Sequence, residues 1–176
     1  MKKIGIMSDT HGFLNPKLFG FFNDCDEVWH AGDWGSFGLI QLLENFKPLR
    51  GVYGNIDGKE IRSVMPSTLN FEIENFKVCI LHIGGYPGNY SKEFKQELQI
   101  SKPDLMICGH SHILKVMRDP LLNFMHINPG ACGNYGFQHV NTAIRLKIED
   151  KRMFDLEIWE QKRDNGEQPV QLNKLT

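Results

Sequence analysis

The chain has 176 residues, 41% hydrophobic and 23% charged, and a formal net charge of −1 at pH 7. That length suffices for one domain with a sizeable core, and the composition is that of a soluble globular protein. The near-zero charge gives no electrostatic pull toward nucleic acid or an anionic membrane, and no apolar run approaches transmembrane length.

Met1-Lys2-Lys3 resembles the start of a signal peptide, but the apolar run that follows is interrupted by Ser8-Asp9 and is too short for an h-region. That run, Ile4-Gly5-Ile6-Met7-Ser8, reads as a strand; it ends at Asp9, with His11 two residues on. Asn15-Pro16 then has the form of a helix start, Asn as N-cap and Pro in the first turn, with Leu18, Phe21 and Phe22 as the apolar face. Val28-Trp29-His30-Ala31-Gly32 reads as a second strand ending at Asp33. His30 lies within it beside small residues, which predicts a packed histidine or a partner behind the site residues. Leu39, Leu42, Leu43 and Phe46 mark a second helix that stops near Pro48. Gly51-Val52-Tyr53-Gly54 reads as a third strand, ending at Asn55. This alternation predicts a parallel sheet with right-handed crossovers.

The pattern then changes. Leu69, Phe71 and Ile73 alternate with polar residues, as in a half-buried strand; Asn75 has turn chemistry and Phe76 to His82 reads as the return strand. Gly84 to Asn89 is a glycine-rich loop, equally a connection or a shaper of a substrate site. Ser91 can cap a third helix carrying Phe94 and Leu98. Leu105-Met106-Ile107-Cys108 is a short buried strand followed by Gly109-His110-Ser111-His112. Further strands are expected at Leu114–Met117, Asn123–Ile127, Val140–Ile148 and Met153–Trp159, the last with Phe154, Leu156 and Ile158 on one face; together they suggest a second sheet packed on the first. Asn128-Pro129-Gly130 reads as a turn, and His126 and His139 read as structural or exposed. One domain over residues 1–160 is expected, with a polar tail over 161–176. Cys25, Cys79, Cys108 and Cys132 are scattered without Cys-x-x-Cys spacing, which implies reduced thiols in a cytoplasmic protein.

A single His-x-His is a weak signal. Here the strand-then-ligand pattern recurs at Asp9/His11, Asp33, Asn55, His82 and His110/His112. In open α/β sheets, sites form beyond the carboxyl ends of the strands. Laid side by side, these strands bring Asp9, His11, Asp33, Asn55, His82, His110 and His112 to one rim. Turn chemistry explains any one of them, but not all together. Seven nitrogen and oxygen donors exceed one tetrahedral ion and suit two ions sharing a carboxylate. Mixed imidazole, carboxylate and amide donors suit borderline divalent ions and not Ca²⁺ or Cu(I).

These motifs, in this order, resemble the calcineurin-like metallophosphoesterases, and by length most closely the small YfcE-type phosphodiesterases that share a fold with the retromer subunit Vps29. The resemblance covers roughly residues 1–160 and the Asn128-Pro129-Gly130 turn. It implies a four-layer α/β/β/α sandwich of two mixed sheets flanked by helices. It assigns Asp9, His11 and His112 to one ion and Asn55, His82 and His110 to the other, with Asp33 bridging. Asp33, Asn55, His82 and His110 are then the residues expected to do the catalytic work. The expected cofactor is a pair of divalent ions, Mn²⁺ foremost, with Zn²⁺, Fe or Ni²⁺ as alternatives. Many relatives carry a histidine directly after the motif asparagine, proposed to protonate the leaving group or steady the transition state; here that residue is Ile56.

The expected function is hydrolysis of a small phosphodiester by in-line attack of a metal-activated hydroxide. The rival is a non-catalytic, Vps29-like protein-binding module. The retained donor histidines favour the enzyme. A nuclease is disfavoured by the neutral charge and by the lack of a basic run with interleaved aromatics. No membrane or nucleic-acid partner is expected, and a homo-oligomer is compatible with the sequence.

Overall fold

A computed structural model describes residues 1–163. In chain order the elements are β1 (Lys2–Met7), α1 (Lys17–Phe22), β2 (Glu27–His30), α2 (Phe37–Phe46), β3 (Leu49–Gly51), α3 (Lys59–Val64), β4 (Thr68–Ile73), β5 (Phe76–Leu81), β6 (Gly85–Tyr86), β7 (Asn89–Tyr90), α4 (Lys92–Ile100), β8 (Leu105–Ile107), β9 (Leu114–Arg118), β10 (Met125–Pro129), β11 (Val140–Glu149) and β12 (Arg152–Lys162). They pair into two five-stranded sheets, β12-β11-β1-β2-β3 and β4-β5-β8-β10-β9, and a small β6-β7 hairpin. Both sheets are mixed. Strands β1, β2 and β3 run parallel, with β11 antiparallel to β1. Strands β5, β8 and β10 run parallel, with β4 and β9 antiparallel at the edges.

Alternation along the strands builds the layers. Ile4 and Ile6 of β1 point between the sheets, where they meet Val78, Ile80, Ile107 and Ile127 from the second sheet and Ile144 and Leu146 from β11. Each fully buried aliphatic side chain contributes about 1.5–3 kcal/mol. Met7 and Val28 point outward, under Leu18 and Phe22 of α1, Leu39 and Leu43 of α2 and Ile61 of α3. On the far side, Phe94 of α4 packs on Cys79 and Met106. The result is the four-layer α/β/β/α sandwich. All four cysteines are buried and free.

Several local expectations shift. Helix α1 begins at Lys17, with Pro16 as its N-cap residue already in helical φ/ψ; Asn15 Oδ1, one residue before, accepts from the Lys17 N–H at 3.0 Å. Strand β3 ends at Gly51, so Val52 to Gly54 leave the sheet before Asn55. Helix α3 and the β6-β7 hairpin are too short to carry a periodicity. Asn128-Pro129 is not a turn: both residues belong to β10, opposite Lys115 and Leu114. Strand β12 continues through Gln161 and Lys162, paired with Asn141 and Val140, and only the remainder of the expected tail, from residue 164, lies outside the described residues. A bulge at Asp155, with φ 49°, breaks the alternation in β12. Consequently Met153, rather than Phe154, joins Leu156 against the inter-sheet core.

Candidate metal centre

The parallel strands end level. Met7 stands opposite His30 and His30 opposite Gly51, while Ile80, Ile107 and Ile127 align in the second sheet. The residues that follow therefore emerge on one rim. Backbone pairing continues past the strand ends: the Asp9 N–H donates to Gly32 O at 3.0 Å, His11 N–H to Asp33 O at 3.0 Å, and Gly109 N–H to His82 O at 3.0 Å. Asp9, His11, Asp33, His110 and His112 all adopt left-handed φ, between 48° and 66°. Such conformations cost roughly 1–3 kcal/mol each in a non-glycine residue and cluster at functional sites. They turn successive side chains into the same space.

All seven sequence-derived residues converge there. His112 Nε2 lies 3.1 Å from Asp9 Oδ1 and 3.2 Å from His11 Nε2. His82 Nε2 lies 3.3 Å from Asp33 Oδ2 and 3.0 Å from Asn55 Oδ1, which is also 2.9 Å from His110 Nδ1. Asp33 Oδ2 is 3.8 Å from His11 Nε2, so this carboxylate stands between the two groups. The His110 N–H donates to both carboxylate oxygens of Asp9, at 3.3 and 3.1 Å. Two glycines permit this approach. A Cβ on Gly54 would collide with the Asp33 carboxylate, and one on Gly109 with Ser8 and Asp9.

Tautomers test whether a cation fits. His82 Nδ1 is 2.8 Å from Ala31 O, which can only accept, so Nδ1 carries the proton. In the neutral ring Nε2 then presents a lone pair, facing two oxygen acceptors. The same holds at His112. Gln138 donates its amide nitrogen to Tyr135 O at 3.0 Å, which turns Oε1 toward His112 Nδ1 at 3.1 Å. Nε2 of the neutral ring therefore faces Asp9 and His11 with a lone pair. Converging lone pairs with no proton between them are the donor set of a divalent ion. Burial pushes His82 toward the neutral form, but Asp33 and Asp9 outweigh it and raise its pKa; the Asp9 hydrogen bond raises that of His112. Burial pushes the Asp33 carboxyl up, and His82, the Ile56 N–H and His11 together hold it below the usual range.

Other residues orient these loops. Asp57, buried, accepts from the N–H groups of Gly54 at 2.7 Å, Gly35 at 3.0 Å and Trp34 at 3.3 Å, tying the Asp33 loop to the Asn55 loop. Its place three residues after Gly54 carries no specific sequence signal. Asn128 Nδ2 donates to Gly109 O at 2.8 Å and Ser111 Oγ at 3.0 Å, holding the His-x-His loop. Gln138 has no sequence signal. His30, buried, is a positioning residue behind the rim, and His126 stands away from it on β10. The crevice above the rim is about 640 Å³ and includes Ile56, Ile113, Tyr135 and Phe137; among the described residues no lysine or arginine lines it.

Comparison with known proteins agrees with this architecture. A family model described as the calcineurin-like phosphoesterase superfamily domain matches residues 1–151. A probable metallophosphoesterase of Methanothermobacter thermautotrophicus is 30% identical over 135 residues, covering 73% of this chain and 76% of the relative. A phosphodiesterase of Methanocaldococcus jannaschii is 30% identical over 151 residues, covering 76% of this chain and 86% of the relative. Among solved structures, Vps29 of Chaetomium thermophilum superposes with a TM-score of 0.75 at 14% identity, covering 96% of this chain and 92% of that one. The family is one of divalent-metal phosphoesterases, and with its motifs gathered on one rim this chain belongs to the calcineurin-like phosphoesterase superfamily.

Proposed function

We propose that this protein is a phosphodiesterase that uses two divalent ions, one held by Asp9, His11 and His112, the other by Asn55, His82 and His110, with Asp33 shared. The observation that carries this reading is the His82 tautomer: with Nδ1–H committed to Ala31 O, Nε2, Asn55 Oδ1 and Asp33 Oδ2 all offer lone pairs to one point. Divalent ions there supply activation of a water near neutral pH and neutralisation of charge on the phosphoryl oxygens. The chain supplies orientation. The Ile56 N–H donates to Asp33 Oδ1 at 3.1 Å, which leaves Oδ2 to the site. His110 couples the two groups, its backbone anchored on Asp9 and its ring on Asn55. Mn²⁺ is the proposed native metal, since carboxylate, amide and imidazole donors together suit it.

Diester preference rests on the crevice. A monoester dianion gains from added cations, and among the described residues no lysine or arginine lines this cavity. The second reading, a non-catalytic protein-binding module, draws on the fold likeness to Vps29 and on the fully exposed Phe137 at the rim. The deciding experiment measures metal content and hydrolysis of methyl 4-nitrophenyl phosphate against 4-nitrophenyl phosphate with Mn²⁺. Diester turnover above monoester turnover, at about two ions per chain, is expected. Metal-free protein without turnover supports the module.

A further inference from the structure

His126 is 1% exposed, and its Nδ1 has no hydrogen-bond partner among the described residues. Buried polar nitrogens are almost always paired, so an orphan calls for an explanation. His126 lies on β10 two residues before Asn128, so both side chains share the outer face of the second sheet. Helix α4 covers that face over β5 and β8, where Phe94 packs on Cys79 and Met106. Over β9 and β10 there is instead a cavity of about 310 Å³, walled by Tyr86 of the hairpin, Lys115, His126, Asn128, Ser111 and Ile113. Ser111 and Ile113 also line the crevice above the metal centre, so the two spaces share a wall.

We propose that this cavity is a second subsite of the enzyme, which binds one ester arm of the substrate when that arm carries an uncharged, planar heteroaromatic ring. This deepens the phosphodiesterase reading and rests on it. The volume lies at the lower end of ligand pockets, room for a ring-sized group. Tyr86 offers an aromatic wall and Ile113 an aliphatic one, surfaces on which a ring stacks. Asn128 is already committed: Nδ2 donates to Gly109 O and Ser111 Oγ, and Oδ1 accepts from the Gly130 N–H at 2.9 Å. His126 is the buried group left to meet a polar ring edge. Burial lowers its pKa to about 4, with Lys115 adding to the drop and Asp119 opposing it, so near neutral pH it meets a neutral ring as a neutral ring. A phosphate is a poorer fit. Among the described residues Lys115 is the one lysine or arginine in the lining, and its Nζ sits 5.2 Å from the centre of the Tyr86 ring.

The test compares thymidine 5′-(4-nitrophenyl) phosphate with methyl 4-nitrophenyl phosphate, which share a leaving group and differ only in the other arm. The wild-type kcat/KM ratio is expected to favour the thymidine ester by about tenfold, the scale of one stacked base. Tyr86→Ala, at a half-exposed position, should bring that ratio close to one, and His126→Gln should lower it less than His126→Leu. A wild-type ratio near one, or a fall in both substrates together, overturns the subsite. Because neither ester turns over if the phosphodiesterase reading itself fails, a second measurement uses metal-free protein: free thymidine should shift the side-chain ¹⁵N resonances of His126 in the wild type and not in Tyr86→Ala. Thymidine leaving those resonances unmoved in the wild type overturns the proposal whatever the activity.

Discussion

His30 Nε2 lies 3.0 Å from Thr10 Oγ1, and this buried pair joins two loops of the candidate metal centre from behind. The Gly32 N–H donates to His30 Nδ1 at 3.1 Å, which fixes the proton on Nε2 and makes Thr10 the acceptor; Thr10 in turn donates to Trp34 O at 3.1 Å. The ring is stacked on Trp34 with centroids 3.7 Å apart. Thr10 sits between Asp9 and His11, and Trp34 follows Asp33, so one imidazole holds three proposed ligands in place. Replacing it by alanine leaves buried partners unsatisfied, at about 1–3 kcal/mol. His30→Ala should lower the unfolding free energy read from urea titration by that amount and weaken Mn²⁺ binding, whereas Thr10→Val should cost less. A His30→Ala protein with wild-type stability would show that these hydrogen bonds do not stabilise the fold.

Burial lowers the His30 pKa from 6.5 to about 3. Between those values the unfolded chain holds a proton that the folded chain does not, so this group makes stability fall as pH drops from about 6.5 toward 3. Urea titrations with EDTA at pH 7 and pH 5 measure the loss. His30→Gln should reduce the difference between the two pH values; an unchanged difference would assign the acid sensitivity elsewhere.

Asp33→Asn should be the most damaging single change, because the proposed bridge serves both ions, with activity down by more than about 10²-fold. Asp57→Ala removes no proposed ligand but frees three backbone N–H groups that fix the loops. It should cost about 10–100-fold in metal affinity. Metal analysis by mass spectrometry after dialysis separates the cases. Wild-type metal content in Asp33→Asn would contradict the shared assignment.

Metal uptake should release protons. His82 and His112 have raised pKa values in the metal-free protein through Asp33 and Asp9, and a donor nitrogen must be deprotonated. Mn²⁺ affinity therefore falls as pH is lowered through the neutral range. Titration calorimetry at pH 6.5 in buffers of different ionisation enthalpy reads this directly; identical heats in all buffers would refute it. EDTA should leave the far-ultraviolet circular dichroism intact, since the core lies between and outside the sheets, while 100-fold excess metal over Kd adds about 2.7 kcal/mol.

Ile56 lines the crevice, and its side chain has no proton to give a departing oxygen. A general acid typically supplies about 10²–10⁴-fold by protonating the departing oxygen. Aryl diesters, whose leaving groups are stable anions, should be cleaved well and alkyl diesters slowly. Ile56→His should speed the alkyl esters and leave the aryl esters unchanged. A rate independent of leaving-group pKa in the wild type would show that another group already donates the proton.

The chain order of the longer strands and helices, and of the polar residues that end the strands, was legible because each depends on near neighbours. Apolar runs such as Ile4-Gly5-Ile6-Met7 mark strands, and the polar residue that ends each run marks the rim. Tertiary structure decided what depends on pairing between distant segments. The bulge at Asp155 exchanges Phe154 for Met153 in the core, and only the partner strand reveals it. Asn128 reads locally as a turn because Asn-Pro-Gly is turn chemistry, yet pairing with β9 keeps it extended. Left-handed φ at Asp9, His11, Asp33, His110 and His112 has no glycine to announce it; bonds between loops far apart in the chain stabilise it. His30 and His126 look alike in sequence, each a histidine in a strand. One meets Thr10 and the other meets a cavity, because the sheets pack the first against the metal loops and leave the second beyond the reach of α4.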